Sequence, residues 1–235
     1  MIKNSISVLI YTSKEDKNIE DCLKSGKLLT DNIILVYPDS KFVETIRETG
    51  IKQAKTDWVL ILDVDERLTP ELAKEVKNVI AGNRVTHYKI PRKNIFGKNK
   101  WLSHGGWCPD HQVRLINTKY FINWPKRIHS TPKIKGEMGY LKNPLLHYFH
   151  GDLEKMVEKT IIFEDIESDL LYRANRTVST STFFRKYFAE LGRRLFRYMG
   201  FLDGTIGIVE SMYQAFSKTI TYLFLYEKKH KSKSL

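Results

Sequence analysis

Apolar positions fall into short unbroken runs in the first third of the chain and into helical spacing in the last third. Ile6-Ser7-Val8-Leu9-Ile10-Tyr11 reads as a buried strand, Asn32-Ile33-Ile34-Leu35-Val36-Tyr37 as a second strand, and Trp58-Val59-Leu60-Ile61-Leu62 as a strand buried on both faces. Between them, Asn18 to Ser25 has helical spacing and stops at Gly26, and Phe42 to Ala54 reads as a short helix. Thr69-Pro70-Glu71-Leu72 opens a further helix, with an N-cap residue, proline at the first helical position and an acid in the first turn. Strands alternating with helices predict a parallel sheet with right-handed crossovers.

From about Thr86 to His150 the pattern shortens. Val85 to Ile90 alternates like a strand, and Asn94 to Lys100 reads as a loop or hairpin. Gly105 to Asp110 is an irregular turn, and His111 to Ile116 a strand leaving it, so this looks like a mixed, loop-rich half covering the sheet edge. From Gly151 the chain turns helical: Asp152 caps a stretch running to about Tyr172, then Phe183 to Met199 and Ile206 to Tyr226 follow. The expected organisation is an α/β domain over 1–150, in halves 1–82 and 83–150, and an amphipathic helical region over 151–235.

Hydrophobic residues make up 42% of the 235, enough for a real core. Lys and Arg exceed Asp and Glu by 39 to 27, a formal charge of +12 that favours phosphate-bearing partners or an anionic membrane surface. Cys22 and Cys108 stand far apart in no metal-type spacing, which suits a reduced, cytoplasmic setting. The N-terminus carries no signal-like apolar stretch, and no apolar run reaches the roughly 18 residues of a membrane span.

The third apolar run ends in Asp63-Val64-Asp65-Glu66. Period two puts Asp63 and Asp65 on one side. Two carboxylates at a strand end repel unless a cation neutralises them; a divalent ion would do so and keep sites for phosphate oxygens. The plainer reading is acids that solubilise a strand end and help cap the next helix. Open α/β sheets bind ligands at the carboxyl ends of their strands.

Taken in order, these segments resemble family 2 glycosyltransferases of the GT-A fold, and more narrowly the branch with lipopolysaccharide core β-glucosyltransferases. The resemblance rests on Val8 to Thr12 with Glu15 to Ile19 and Cys22 to Ser25, on Arg47-Glu48-Thr49-Gly50-Ile51, and on Asp63-Val64-Asp65-Glu66. It continues in Gly106-Trp107-Cys108-Pro109-Asp110-His111-Gln112-Val113-Arg114-Leu115, in Arg127-Ile128-His129 and in Leu145-Leu146-His147-Tyr148, and covers roughly residues 5–165. Val36 to Ser40 stands where the family has an Asp-x-Gly-Ser turn, about twenty residues usual after that turn are missing, and His129-Ser130 replaces a His-Glu pair.

The resemblance implies a mostly parallel, Rossmann-like sheet with flanking helices. It also implies metal-dependent, inverting sugar transfer from a nucleoside diphosphate, a UDP-sugar being the first expectation, to a saccharide or lipid-linked acceptor of a lipopolysaccharide-type glycan. Mg²⁺ or Mn²⁺ on Asp65 and Asp63 would neutralise the leaving diphosphate. Thr12, Asp39, Arg47, Asp63 and Arg114 are the donor contacts so implied. Arg47 alone also reads as an exposed helix charge. Asp110 is the implied base, or otherwise a turn residue. His129 and His147 are candidates to face metal or acceptor, and Trp107 to stack on sugar. His147-x-x-His150 suits structural zinc only on a helix.

Phe183 to Met199 interleaves aromatic residues with Arg185, Lys186, Arg193, Arg194 and Arg197. It reads either as a packed helix with a solvated face or as an interfacial helix. The expectation is peripheral contact with an anionic membrane through 183–226, on the inner face of the plasma membrane. Nucleic acid is not expected, since no such motif appears, and no pattern specifies an oligomer. Two rival readings are a degenerate, inactive GT-A scaffold on a membrane and a basic nucleic-acid-binding protein.

Overall fold

A computed structural model describes residues 4–13, 16–38, 45–82, 84–97, 99–126, 130–150 and 153–231. Asp39, His129 and the expected cap Asp152 lie outside the described residues. The described elements are β1 (Ile6–Tyr11), α1 (Ile19–Gly26), β2 (Ile33–Val36), α2 (Arg47–Gln53), β3 (Trp58–Asp63), β4 (Glu66–Arg67), α3 (Pro70–Val79), β5 (Val85–Phe96), β6 (Lys100–Trp101), β7 (His111–Asn117), β8 (Phe121–Asn123), β9 (Lys133–Ile134), β10 (Glu137–Tyr140), β11 (Leu145–His150), α4 (Leu153–Arg173), α5 (Thr180–Gly192) and α6 (Gly204–Lys231). They form two compact units, Met1–Lys93 with Pro109–His147, and Asn94–Cys108 with Tyr148–Leu235.

The first unit is an α/β sheet. Its strands run β2-β1-β3-β7-β5. The strands expected from unbroken apolar runs are parallel: β1 pairs with β2 and with β3. β7 returns antiparallel beside β3 and then pairs antiparallel with β5, so the later segments extend the same sheet rather than only covering its edge. One face packs Val8, Ile10, Leu60 and Leu62 with Leu72 and Val76 of α3; the other packs Leu9, Tyr11, Val59 and Ile61 with Ile51 of α2 and Trp124. Burial on both faces is why these strands read as continuous apolar runs.

Local chemistry explains the helix starts. The Thr69 side chain accepts from Leu72 N at 3.2 Å, and Pro70 takes the first helical position of α3. Among the described residues α2 runs from Arg47 to Gln53, and the expected start at Phe42 lies outside the described residues. β5 runs through Pro91 to Phe96 instead of ending at Ile90, because residues 95 and 96 pair back on Lys100 and Trp101.

The second unit is helical. α4 and α6 are tied by Ser217 and Thr221, which donate to the two oxygens of Glu164, and by Lys228 with Asp165 and Asp169. α5 continues into a π-helical turn over Arg193–Arg197, marked by Tyr198 N donating to Arg193 O at 2.9 Å. Among the described residues no helix is long and apolar enough to cross a membrane.

Candidate active site

The register of the parallel strands sets the site. Tyr11 lies opposite Asp63 on one side and Val36 on the other, so Thr12 and the acidic motif share the carboxyl edge of the sheet. β3 ends at Asp63. Val64 and Asp65 form a turn, and Glu66 enters β4, which pairs antiparallel with β11 so that His147 lies opposite Glu66. The turn, rather than a continuing strand, therefore places Asp65. Arg67 holds it by donating to Val64 O at 2.7 Å and Glu66 O at 2.9 Å.

The acids here are joined to arginines in one alternating chain. Arg47 Nη2 lies 2.8 Å from Asp63 Oδ1, and Arg114 Nη2 lies 2.5 Å from Asp63 Oδ2. The same Arg114 nitrogen lies 2.6 Å from Glu66 Oε1, which Arg92 Nη1 approaches at 3.3 Å. Arg92 in turn reaches Asp110 Oδ2 at 2.7 Å through Nη2 and donates to it through Nε at 2.9 Å. Gln112 donates to the other Asp110 oxygen at 2.9 Å. Glu66 is fully buried, and its second oxygen accepts from Asp63 N at 3.0 Å.

Burial would raise the Asp63 carboxyl, but Arg114 and then Arg47 outweigh it and hold it far below the usual carboxylate range. Burial likewise opposes the charge on Arg114, and Asp63 and Glu66 reverse that, raising it. The pair is ionised at any physiological pH. Burial pushes the Cys22 thiol up to about 12, so Cys22 is a core residue with its Sγ toward Asp63 O at 3.7 Å.

Arg47 is buried, not an exposed helix charge. Its guanidinium lies over the rings of Tyr11 and Trp124, at 5.1 and 5.2 Å. The Tyr11 hydroxyl donates to Arg47 O at 2.8 Å. Gly50 permits this approach, since a Cβ there would fall 2.6 Å from that hydroxyl oxygen. A pocket of about 410 Å³ opens on the group, lined by Arg47, Asp63, Lys89, Arg92, His111, Gln112, Val113, Arg114, Trp124 and Ser130 to Pro132.

Asp65 faces a different partner. His147 Nε2 lies 3.7 Å from Asp65 Oδ1, and burial lowers the imidazole's proton affinity more than Asp65 restores it. A neutral imidazole and a carboxylate at that spacing fit one divalent cation. Asp63, with both oxygens engaged by guanidinium groups, does not fit as a ligand in this arrangement and acts as a counter-ion. Among the described residues no third His, Cys, Asp or Glu joins Asp65 and His147, so the remaining positions would fall to phosphate and water oxygens. β11 is a strand, so positions 147 and 150 alternate and do not share a helical face.

The structure thus brings Arg47, Asp63, Arg114 and Asp110 into one linked group and puts Asp65 beside His147. Thr12 is buried at the end of β1, and its hydroxyl donates to Ser13 O at 2.9 Å. Trp107 belongs to the second unit, where it packs on Phe149 at 4.5 Å and beneath Arg194 at 5.6 Å. Arg92 and Glu66 are the partners that motif reading passed over. The available signals were an arginine inside an otherwise strand-like segment and a third acid directly after two others.

No family model matches the chain. Over its whole length it is 21% identical to a protein of Rickettsia conorii named an uncharacterized glycosyltransferase, covering 94% of that protein. A second protein of that name, from Rickettsia bellii, is 24% identical over 93% of this chain and 85% of its own. Among solved structures, S. aureus TarS 1-349 in complex with UDP-GlcNAc aligns with 97% of this chain and 92% of its own, at 13% identity and a TM-score of 0.45. The names of the sequence relatives agree with the expectation of a glycosyltransferase.

Proposed function

We propose that this chain is a metal-dependent inverting glycosyltransferase. It would transfer sugar from a nucleoside diphosphate, UDP first, to a saccharide or lipid-linked acceptor of a lipopolysaccharide-type envelope glycan. The observation that carries the reading is the carboxyl edge of the sheet, where Asp65 and His147 stand together and the buried Arg47 and Arg114 sit on Asp63 beside an open pocket. The full-length relatives support the reaction class, and the Gly106 to Leu115 resemblance supports the glycan class.

Asp65 and His147 would hold Mg²⁺ or Mn²⁺, which, when bound, neutralises charge on the departing diphosphate. The protein's own part is positional. Arg47 and Arg114 place fixed positive charge at the pocket wall, balanced by Asp63. Asp110, whose direction is set by Arg92 and Gln112, takes the proton from the acceptor hydroxyl as it attacks the anomeric carbon from the face opposite the diphosphate. One such displacement inverts that centre. Peripheral attachment to the inner face of an anionic membrane belongs to the same reading.

Thermal melting with UDP, GDP, CDP and dTDP, with and without Mn²⁺, tests it. One nucleotide should raise Tm only with metal, and Asp65→Ala and His147→Ala should abolish that rise. A wild type whose melting responds to none of the nucleotides would overturn the reading in favour of an inactive scaffold.

A further inference from the structure

We infer that the segment from α5 through the turn at 193–202 is a docking surface for an anionic bilayer, lying in the plane of the headgroups. Phe184 and Phe188 occupy one face of α5 a turn apart, and both are 63% exposed. On a continuing α-helix Phe196 would stand about 80° around from Phe188. The wider π turn over Arg193–Arg197 changes that angle, and Phe196 within it is 68% exposed. Met199, in a left-handed backbone conformation, ends the helical run, and Phe201 and Leu202 just beyond it are also exposed. Large aromatic side chains aligned in water are costly unless something covers them.

The charges on this strip choose the occupant. Between Thr180 and Leu202 the only acid is Glu190, and both Arg193 and Arg194 are bonded to it. Arg185 and Arg197 lie exposed beside the phenylalanines. A second copy laid on this face would set like charges against one another. A bilayer with anionic headgroups meets both features at once, apolar rings entering the acyl boundary and guanidinium groups meeting phosphate.

The same turn is anchored to the loop Ser103–Trp107 of its own unit. Asp203 accepts from Ser103 N and His104 N at 2.9 and 2.8 Å, Gly105 N donates to Tyr198 O at 2.8 Å, and Arg194 donates to Gly105 O at 3.0 Å. That loop runs on through Cys108 and Pro109 to Asp110. The docking surface rests on the peripheral attachment proposed above and not on the nucleotide-sugar site, since vesicle binding and nucleotide-dependent melting are separate measurements and either can fail alone.

Co-sedimentation of the full chain with phosphatidylcholine vesicles, with and without phosphatidylglycerol, tests the inference. Binding should require the anionic lipid. The double variant Phe188→Ala, Phe196→Ala should weaken it about tenfold or more with unchanged Tm. Arg185→Gln and Arg197→Gln should each weaken it about five-fold. Three results would overturn it: no binding to anionic vesicles; binding that survives the double phenylalanine change, which marks a general polyanion site; or self-association that the same change dissolves while vesicles go unbound, which marks a second copy as the occupant.

Discussion

Glu66 is fully buried and shares one oxygen between Arg114 and Arg92 while the other accepts a backbone N–H. Such a group is worth little relative to an apolar replacement of both partners, but removing it alone leaves Arg114 with only Asp63 and Arg92 with only Asp110 to balance them. Glu66→Ala should cost about 1–3 kcal/mol, seen as a fall in Tm, with Glu66→Gln losing less because it keeps an acceptor. A variant melting with the wild type would show that Asp63 and Asp110 alone balance Arg114 and Arg92. Asp110 carries a different expectation: Asp110→Asn should cut sugar transfer by about 10²–10⁴ while nucleotide-dependent stabilisation stays intact. Asp203 supplies a pH dependence. Burial would raise its carboxyl, but hydrogen bonds from His104 and Ser103 hold it below the usual range. A depressed folded-state value means stabilisation that is complete above the unfolded value near 4 and is lost as pH falls below it. The Tm gap between wild type and Asp203→Asn should therefore be open at neutral pH and close in strong acid. Asp63, Asp65 and Glu66 were legible as a motif in sequence; that Asp63 serves two arginines was not, because Arg47 and Arg114 reach it from other elements.

At the scale of elements, local rules worked wherever one element decides its own ends. The three unbroken apolar runs became the parallel strands β2, β1 and β3, and Thr69-Pro70 began α3. Thr69→Ala should cost about 1 kcal/mol, measured as a denaturation midpoint shift at unchanged slope. Gly50 shows the opposite case. Alanine is the better helix former, yet a Cβ there would meet the Tyr11 hydroxyl at 2.6 Å and Val36 at 3.1 Å. Gly50→Ala should therefore destabilise by about 1–3 kcal/mol rather than stabilise, and a gain in Tm would show that Tyr11 yields freely. β5 outran its sequence signal for a similar reason: pairing with β7, β6 and β10 holds residues whose own pattern, broken by Pro91, does not demand a strand. The change of pitch after Gly192 has no local sequence mark, and it is this change that alters where Phe196 falls around the helix.

Over the whole molecule the formal charge of +12 draws polyanions without regard to the site. Heparin or RNA binding should fall steeply with salt and be the same in Asp65→Ala, whereas a Mn²⁺-dependent nucleotide effect should depend on Asp65 at every salt concentration. Chain order also hides the molecule's grouping: residues 94–108 gather with the helices, while Pro109–His147 returns to the sheet unit.

By itself the sequence determined the α/β class, the parallel first strands, the acidic strand end and the helical last third, because hydrophobic period and capping are properties of neighbouring residues. Tertiary structure alone decided which acids are counter-ions and which face a histidine, that Arg92 aims Asp110, and which aromatic residues face water. Those depend on distances between residues as far apart as Arg47, Asp63 and Arg114, which only the folded sheet brings within hydrogen-bond reach.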